Sequence, residues 1–131
     1  MNSNENTSLI KSSPSLLKLL HENNTTLDVF RREMLALSCL VAGTSFINLK
    51  EIEPQMIVST IFELKREQDN KFDKKAVAIH FNNNKIGYIP KEKNDVIANL
   101  MDAGKQFSAK LISKDWEGNW LKINVEIYLN D

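Results

Sequence analysis

The chain has 131 residues with 17 basic and 17 acidic side chains, so its formal net charge is zero. This length supports one compact domain with a real core, but not comfortably two. Proteins held on nucleic acid by overall charge alone are strongly basic, so neutrality argues against that class and leaves only a local basic face open.

The first third of the chain predicts a disordered segment followed by helices. Residues 1–12 are rich in Asn and Ser and are expected to be disordered. Ser13 followed by Pro14 is a helix start, and Thr25 opens a second capping pattern. We therefore expect a short helical extension over residues 13–34. Its leucines would pack on the body of the protein or dock a partner, including a second copy in a homodimer.

From Leu35 the pattern becomes that of a β domain. Short runs of β-branched and aromatic residues alternate with turn signals. Strands are predicted over residues 35–41, 56–64, 76–81, 85–89, 107–114 and 121–129. The first of them reads as a buried strand around the single Cys39, and the last alternates apolar and polar residues, which predicts one buried face.

Two further signals complete the fold prediction. Asn82 to Asn84 marks a hairpin turn, and residues 94–103 have helical spacing with Gly104 as the stop. Residues 115–120 are expected to form the last loop. The fold class is therefore mainly β with α (α+β). We expect a small OB-like or SH3-like curled β-barrel over residues 35–131, with one or two inserted helices, preceded by the N-terminal helical extension.

The stretch from Leu64 to Pro90 holds the most unusual chemistry. Its polar cluster, residues 66–73, falls between two predicted strands, where a rigid sheet commonly displays binding groups on a loop. Residues 64–93 carry eight basic and four acidic side chains, a local excess of four positive charges in a neutral chain. Such an excess is either a solvated face or a funnel for phosphates.

Three motifs in chain order resemble those of the HIRAN domain family. They read VAGTSF over residues 41–46, REQDNKFDKKAV over residues 66–77 and IGYIP over residues 86–90. The resemblance covers residues 35–129. It departs from the family pattern at Gln68, which replaces a usual Pro and predicts a less stiff loop, and at Ser45, where some relatives are basic.

The resemblance implies a modified oligonucleotide-binding barrel that captures the free 3′ end of single-stranded DNA in DNA repair or processing. Phe46 and Phe72 would sandwich the terminal base and Asp73 would bind the 3′-hydroxyl. Asn70 would support the terminal nucleotide and Lys91 would meet a phosphate. Five more nucleic-acid contacts are expected at Arg66, Lys71, Tyr88, Ser45 and Trp116. Partner helicases or nucleases are also implied.

The side chains allow alternatives on their own chemistry. Phe46 and Phe72 can stack on bases or plug the ends of the barrel. Asp73 can accept hydrogen bonds from local backbone amides, or it can accept one from a free hydroxyl of a ligand. A carboxylate is repelled by a phosphodiester, so a free hydroxyl is the more suitable partner. Arg66 can equally be a structural strut paired with Glu67 or Asp73. Trp116 is the better of the two tryptophans for an exposed stacking surface.

No catalytic constellation, metal-ligand spacing or phosphate loop is present in the sequence, so we expect no enzyme activity, no metal and no cofactor. No run reaches membrane-spanning length and the polar N-terminus lacks a secretion signal, which predicts a cytoplasmic protein without membrane contact. The alternative function is a protein-interaction adaptor that docks a helicase or nuclease through its N-terminal helices.

Overall fold

The computed structural model describes residues 33–130. The predicted disordered segment and the helical extension as far as residue 32 lie outside the described residues, and so does any homodimer built on them. The extension was predicted to reach residue 34, but Glu33 and Met34 already belong to the first strand.

The described residues form a single six-stranded antiparallel sheet with one short helix. The strands are β1 (Glu33–Leu40), β2 (Ile61–Arg66), β3 (Val77–Phe81), β4 (Asn84–Tyr88), β5 (Gln106–Glu117) and β6 (Trp120–Asn130). Helix α1 spans Asp95–Asp102, and 3₁₀ turns lie at Thr44–Phe46, Glu53–Gln55 and Lys91–Lys93. The strand order is β1-β6-β5-β2-β3-β4. The prediction of a mainly β domain with little helix is confirmed.

The sheet is open, although its two ends approach each other. Just beyond β1, Ala42 and Tyr88 exchange two backbone hydrogen bonds of 2.8 and 2.9 Å. Gly87 makes this approach possible, since a Cβ there would lie 2.4 Å from the Ala42 carbonyl oxygen and 2.5 Å from Val41 Cγ1. In place of the predicted curled β-barrel, the domain is an open sheet whose ends are joined by one bridge.

The two hairpins follow from local turn chemistry. Asn82 and Asn83 have φ angles of 49° and 69°, the positive values that a two-residue hairpin turn requires, and the predicted turn is confirmed. The β5–β6 turn is shorter than the predicted loop. Both strands run on to the pair Glu117 and Trp120, because Gly118 adopts a φ of 63° and reverses the chain within two residues.

Two strand predictions were wrong in position or burial. The run 35–41 is not a buried strand: β1 pairs only with β6, and within it only Cys39 is buried. The run 56–64 begins as a strand only at Ile61. The residues before it turn, with Ser59 at a φ of 76°, which extended structure does not allow.

The core is built from buried residues of the sheet and of helix α1. In β6, Leu121, Ile123, Val125 and Ile127 are all buried, which confirms the predicted alternation. Helix α1 adds Ile97 and Ala98, whereas its Val96 is exposed. No helix within residues 33–130 combines the length and apolar character needed to cross a membrane.

Candidate nucleic-acid interface

Phe46 is held out into solvent by the short turn that follows the bridge. Gly43 has a φ of 81° and reverses the chain into the 3₁₀ turn Thr44–Phe46. Thr44 is buried, and its hydroxyl donates a 2.8 Å hydrogen bond to the Leu121 carbonyl, which fixes the turn on the core. The Phe46 ring is 91% exposed. It therefore does not plug the domain.

Phe72 is held out by a second loop, which Asn70 organises. The Asn70 side-chain oxygen accepts from the backbone N–H groups of Phe72 at 2.9 Å and Asp73 at 3.0 Å. An Asn that bonds amides two and three residues ahead forces a local turn. The Phe72 ring is 90% exposed. As with Phe46, the alternative of a core plug is excluded.

Both phenylalanines line the same cleft, whose volume of about 680 Å³ falls in the range of small-ligand sites. Six of the ten predicted contacts line it: Phe46, Asn70, Phe72, Asp73, Tyr88 and Lys91. The cleft joins the segment after β1, the loop after β2 and the end of β4. Residues far apart in the sequence are thus brought to one place, although their roles toward a ligand stay predictions.

Asp73 is held from two directions on the wall of this cleft. Its Oδ1 accepts the backbone N–H of Lys75 at 2.9 Å, which is the local bond foreseen as an alternative. Its Oδ2 accepts from the side-chain amide of Asn94 at 2.7 Å. A carboxylate oxygen has room for a second donor, so these bonds leave Asp73 able to accept from a ligand.

A polar network beneath the cleft centres on Glu67. Its Oε1 accepts from Asn70 at 3.0 Å and from the Tyr88 hydroxyl at 2.8 Å, and its Oε2 lies 2.7 Å from Lys85 Nζ. Burial raises the pKa of Glu67, but the hydrogen bonds from Lys85, Asn70 and Tyr88 outweigh it and hold the pKa below its usual value. The hydrogen bond to Glu67 in turn raises the pKa of Lys85.

Arg66 acts as a strut between β2, the loop and helix α1. Its guanidinium donates to the carbonyls of Ala76 at 3.0 Å and Lys74 at 2.8 Å, and to Asp102 Oδ2 at 3.1 Å. Its Nε lies 3.0 Å from Asp102 Oδ1, an ionic contact without the alignment of a hydrogen bond. These contacts match the alternative of a structural strut, with Asp102 as the acid in place of the expected Glu67 or Asp73. A nucleic-acid contact of Arg66 stays a prediction.

Gln68 compensates for the missing proline. Its side-chain amide donates a 2.9 Å hydrogen bond to Asp102 Oδ1, and this bond is the leading cause of the lowered pKa of Asp102. The loop is therefore tied to the end of α1 by a side chain rather than stiffened by a ring. This hydrogen bond therefore opposes the loss of loop stiffness that was expected from the missing proline.

Besides Arg66, three predicted contacts do not line the cleft. Lys71 and Ser45 are exposed but do not line it, although each neighbours a residue that does. Trp116 is 37% exposed and lines a separate groove beside Lys50 and Asn119. Their part in binding is a prediction that the cleft itself does not support.

Sequence reasoning missed residues that hold the site through hydrogen bonds and ion pairs, although Lys85 also lines the cleft. Glu67 was considered only as a charge or as a partner of Arg66, Lys85 only as a charge, and Asn94 and Asp102 only as parts of the predicted helix. No local pattern marks such residues, because the partners of Glu67, Asn94 and Asp102 include residues 21 to 36 positions away. Within residues 33–130, no group of three or more His, Cys, Asp or Glu side chains is placed to hold a metal ion.

Fold and site together define a class of protein: a small antiparallel β domain with one cleft lined by two exposed aromatic rings and a hydrogen-bonded carboxylate. The chain belongs to the HIRAN domain family, whose family model matches residues 34–130. This family is known in general as a family of DNA-binding modules, and it is not an enzyme family by itself.

Two solved structures share the fold. A protein from Lactobacillus plantarum has a TM-score of 0.70 at 19% identity, covering 77% of this chain and 98% of its own. The HIRAN domain of human HLTF has a TM-score of 0.57 at 18% identity, covering 76% of this chain and 78% of its own. Among curated proteins there is no significant match.

Proposed function

We propose that this domain captures single-stranded DNA at a free 3′ end, with the terminal base stacked between Phe46 and Phe72. The observation that carries the proposal is that these two rings, each about nine-tenths exposed, line a single cleft. An exposed Phe ring forgoes about 1.5–3 kcal/mol of burial free energy. A base that covers both rings recovers part of it, and stacking is worth about 1–3 kcal/mol per base.

The charges of the cleft favour binding of the end of a DNA strand over binding of an internal stretch. Asp73 repels a phosphodiester but accepts a hydrogen bond from a hydroxyl. Lys91 is exposed at the rim, where it can meet the phosphate that precedes the terminal nucleotide. Two of the eight basic side chains of residues 64–93 are held in ion pairs, Arg66 with Asp102 and Lys85 with Glu67. Stacking and the hydroxyl contact therefore carry more of the proposed affinity than charge does.

The proposal is tested by fluorescence anisotropy with 5′-labelled oligonucleotides that end in a 3′-hydroxyl or a 3′-phosphate. We expect tighter binding of the hydroxyl end, because a terminal phosphate brings negative charge to Asp73. Equal affinities would overturn the end-recognition claim, and no binding at low salt would overturn the DNA claim.

We further propose a role in cytoplasmic DNA repair or processing, with a helicase or nuclease as the partner that supplies catalysis. A domain that covers a 3′ end should protect single-stranded DNA from a 3′→5′ exonuclease while leaving degradation by a 5′→3′ exonuclease unchanged. Protection from neither enzyme, or from both equally, would contradict end capture.

A further inference from the structure

We propose that Asn94 is a positioning residue that sets the preference of this site for a 3′-hydroxyl by holding the carboxylate of Asp73. The inference rests on the function proposed above and names a determinant of its specificity. Asn94 lies between the 3₁₀ turn Lys91–Lys93 and helix α1, 21 residues from its partner in the sequence.

The first observation is that the side chain of Asn94 does not cap helix α1. It stands at the N-cap of α1, where an Asn side chain normally accepts from a backbone N–H of the first helical turn. Here no side-chain capping bond is formed, and the backbone carbonyl of Asn94 accepts the Ala98 N–H at 2.8 Å. The side-chain amide donates instead to Asp73 Oδ2. The side chain of Asn94 therefore forms a hydrogen bond to the cleft residue Asp73 in place of the usual capping bond.

The burial of Asn94 is the second observation. It is 2% exposed, one of two buried polar residues in the described part of the chain. A buried amide next to packed neighbours has few rotamers, so it holds its partner more firmly than a solvent-exposed side chain would. Asp73 itself is only half-buried and faces the cleft.

The consequence follows from the geometry of the carboxylate. The Lys75 N–H fixes one oxygen and Asn94 fixes the other, so the plane of the Asp73 carboxylate is set before any ligand arrives. A pre-oriented acceptor binds a hydroxyl without first losing rotamer freedom. Without Asn94, Asp73 keeps its local turn but can rotate one oxygen away from the ligand.

The test compares Asn94→Ser with Asn99→Ala. Ser is as good an N-cap as Asn but too short to reach Asp73, so Asn94→Ser preserves the helix and removes only the contact. Asn99 lies on the same helix and accepts from Lys75 Nζ, which makes it the matched control. We expect Asn94→Ser to reduce the affinity ratio of 3′-hydroxyl over 3′-phosphate ends about tenfold, and Asn99→Ala to leave it unchanged.

A double-mutant cycle separates positioning from general destabilisation. Asp73→Ser keeps an acceptor for the Lys75 N–H but cannot reach Asn94, so Asn94→Ser should change the ratio no further in that background. An unchanged ratio in Asn94→Ser, or an equal loss in both backgrounds, would overturn the role of Asn94. A wild-type protein without any preference would overturn the end-recognition function itself, and the role of Asn94 with it.

Discussion

The Tyr88 hydroxyl donates a 2.8 Å hydrogen bond to Glu67 Oε1, and this contact joins the two halves of the cleft. Glu67 also binds Asn70, which organises the loop that carries Phe72. The Tyr88 backbone is bridged to Ala42, which leads into the turn that carries Phe46. The relative position of the two rings therefore depends on the Glu67 carboxylate, which does not line the cleft.

Replacing either ring tests stacking directly. Phe72→Ala and Phe46→Ala should each weaken binding of single-stranded DNA by about 1–3 kcal/mol, whereas Phe72→Trp should retain it because the flat face is kept. The matched control is Ile57→Ala, since Ile57 is 67% exposed but does not line the cleft. Anisotropy titrations measure the change. Equal effects of all the alanine variants would show that the rings act only as exposed apolar surface.

The Glu67 network makes a pH-dependent contribution to stability. Because the folded pKa of Glu67 lies below its usual 4.5, its contribution is present above about pH 4.5 and is lost as the pH falls through the lower folded value. Glu67→Gln should therefore be less stable than wild type by about 1–3 kcal/mol near pH 7, with the gap closing towards pH 3. Urea unfolding at several pH values measures this, with Glu51→Gln as the control. A difference in stability between Glu67→Gln and wild type that stays constant with pH would refute this contribution of Glu67.

Gln68 should restrain the loop through Asp102. Gln68→Ala removes one hydrogen bond to this carboxylate, and Asp102→Asn also weakens the Arg66 ion pair. We expect faster amide hydrogen exchange at residues 70–73 in both variants, and a larger change for Asp102→Asn. Asp95→Asn, at the other end of α1, serves as the control. If exchange of the loop is unaltered, the loop is held by Asn70 alone.

Gly87 should be the least replaceable glycine in the domain. Gly87→Ala forces a methyl group against the Ala42 carbonyl and Val41, and overpacking of this kind costs about 1–3 kcal/mol or more. Gly104→Ala meets nothing within 4 Å and carries only the strain of its positive φ. Urea denaturation should show a larger loss for Gly87→Ala. The reverse order would mean that the bridge between Ala42 and Tyr88 gives way easily.

Cys39 should be unreactive in the folded protein. Burial raises the pKa of its thiol to about 11, only partly offset by Lys93, and the thiolate is the reactive form. A chromogenic disulfide reagent at pH 8 should label it slowly in buffer and rapidly in urea. Fast labelling of the native protein would show that β1 opens readily.

Local patterns predicted much of the architecture. The strict alternation from Leu121 to Ile127 identified the buried face of β6, and the Asn-rich turn identified the β3–β4 hairpin. Strand limits were less accurate around residues 56–60, since the apolar run continues through a turn that a positive φ at Ser59 creates. Burial of β1 was overestimated because an apolar run does not reveal that its strand lies at the edge of the sheet.

By itself the sequence predicted the family and the mainly β fold, and it singled out six residues that line the cleft, because motif spacing, periodicity and turn residues are all local in the chain. Only the tertiary structure decided which polar residues hold those contacts in place. The fold brings Asp102 into an ion pair with Arg66, and it brings Asn94 into a hydrogen bond with Asp73, 21 residues away in the sequence. Such pairings depend on how the sheet curls and where α1 packs, and no local pattern encodes them.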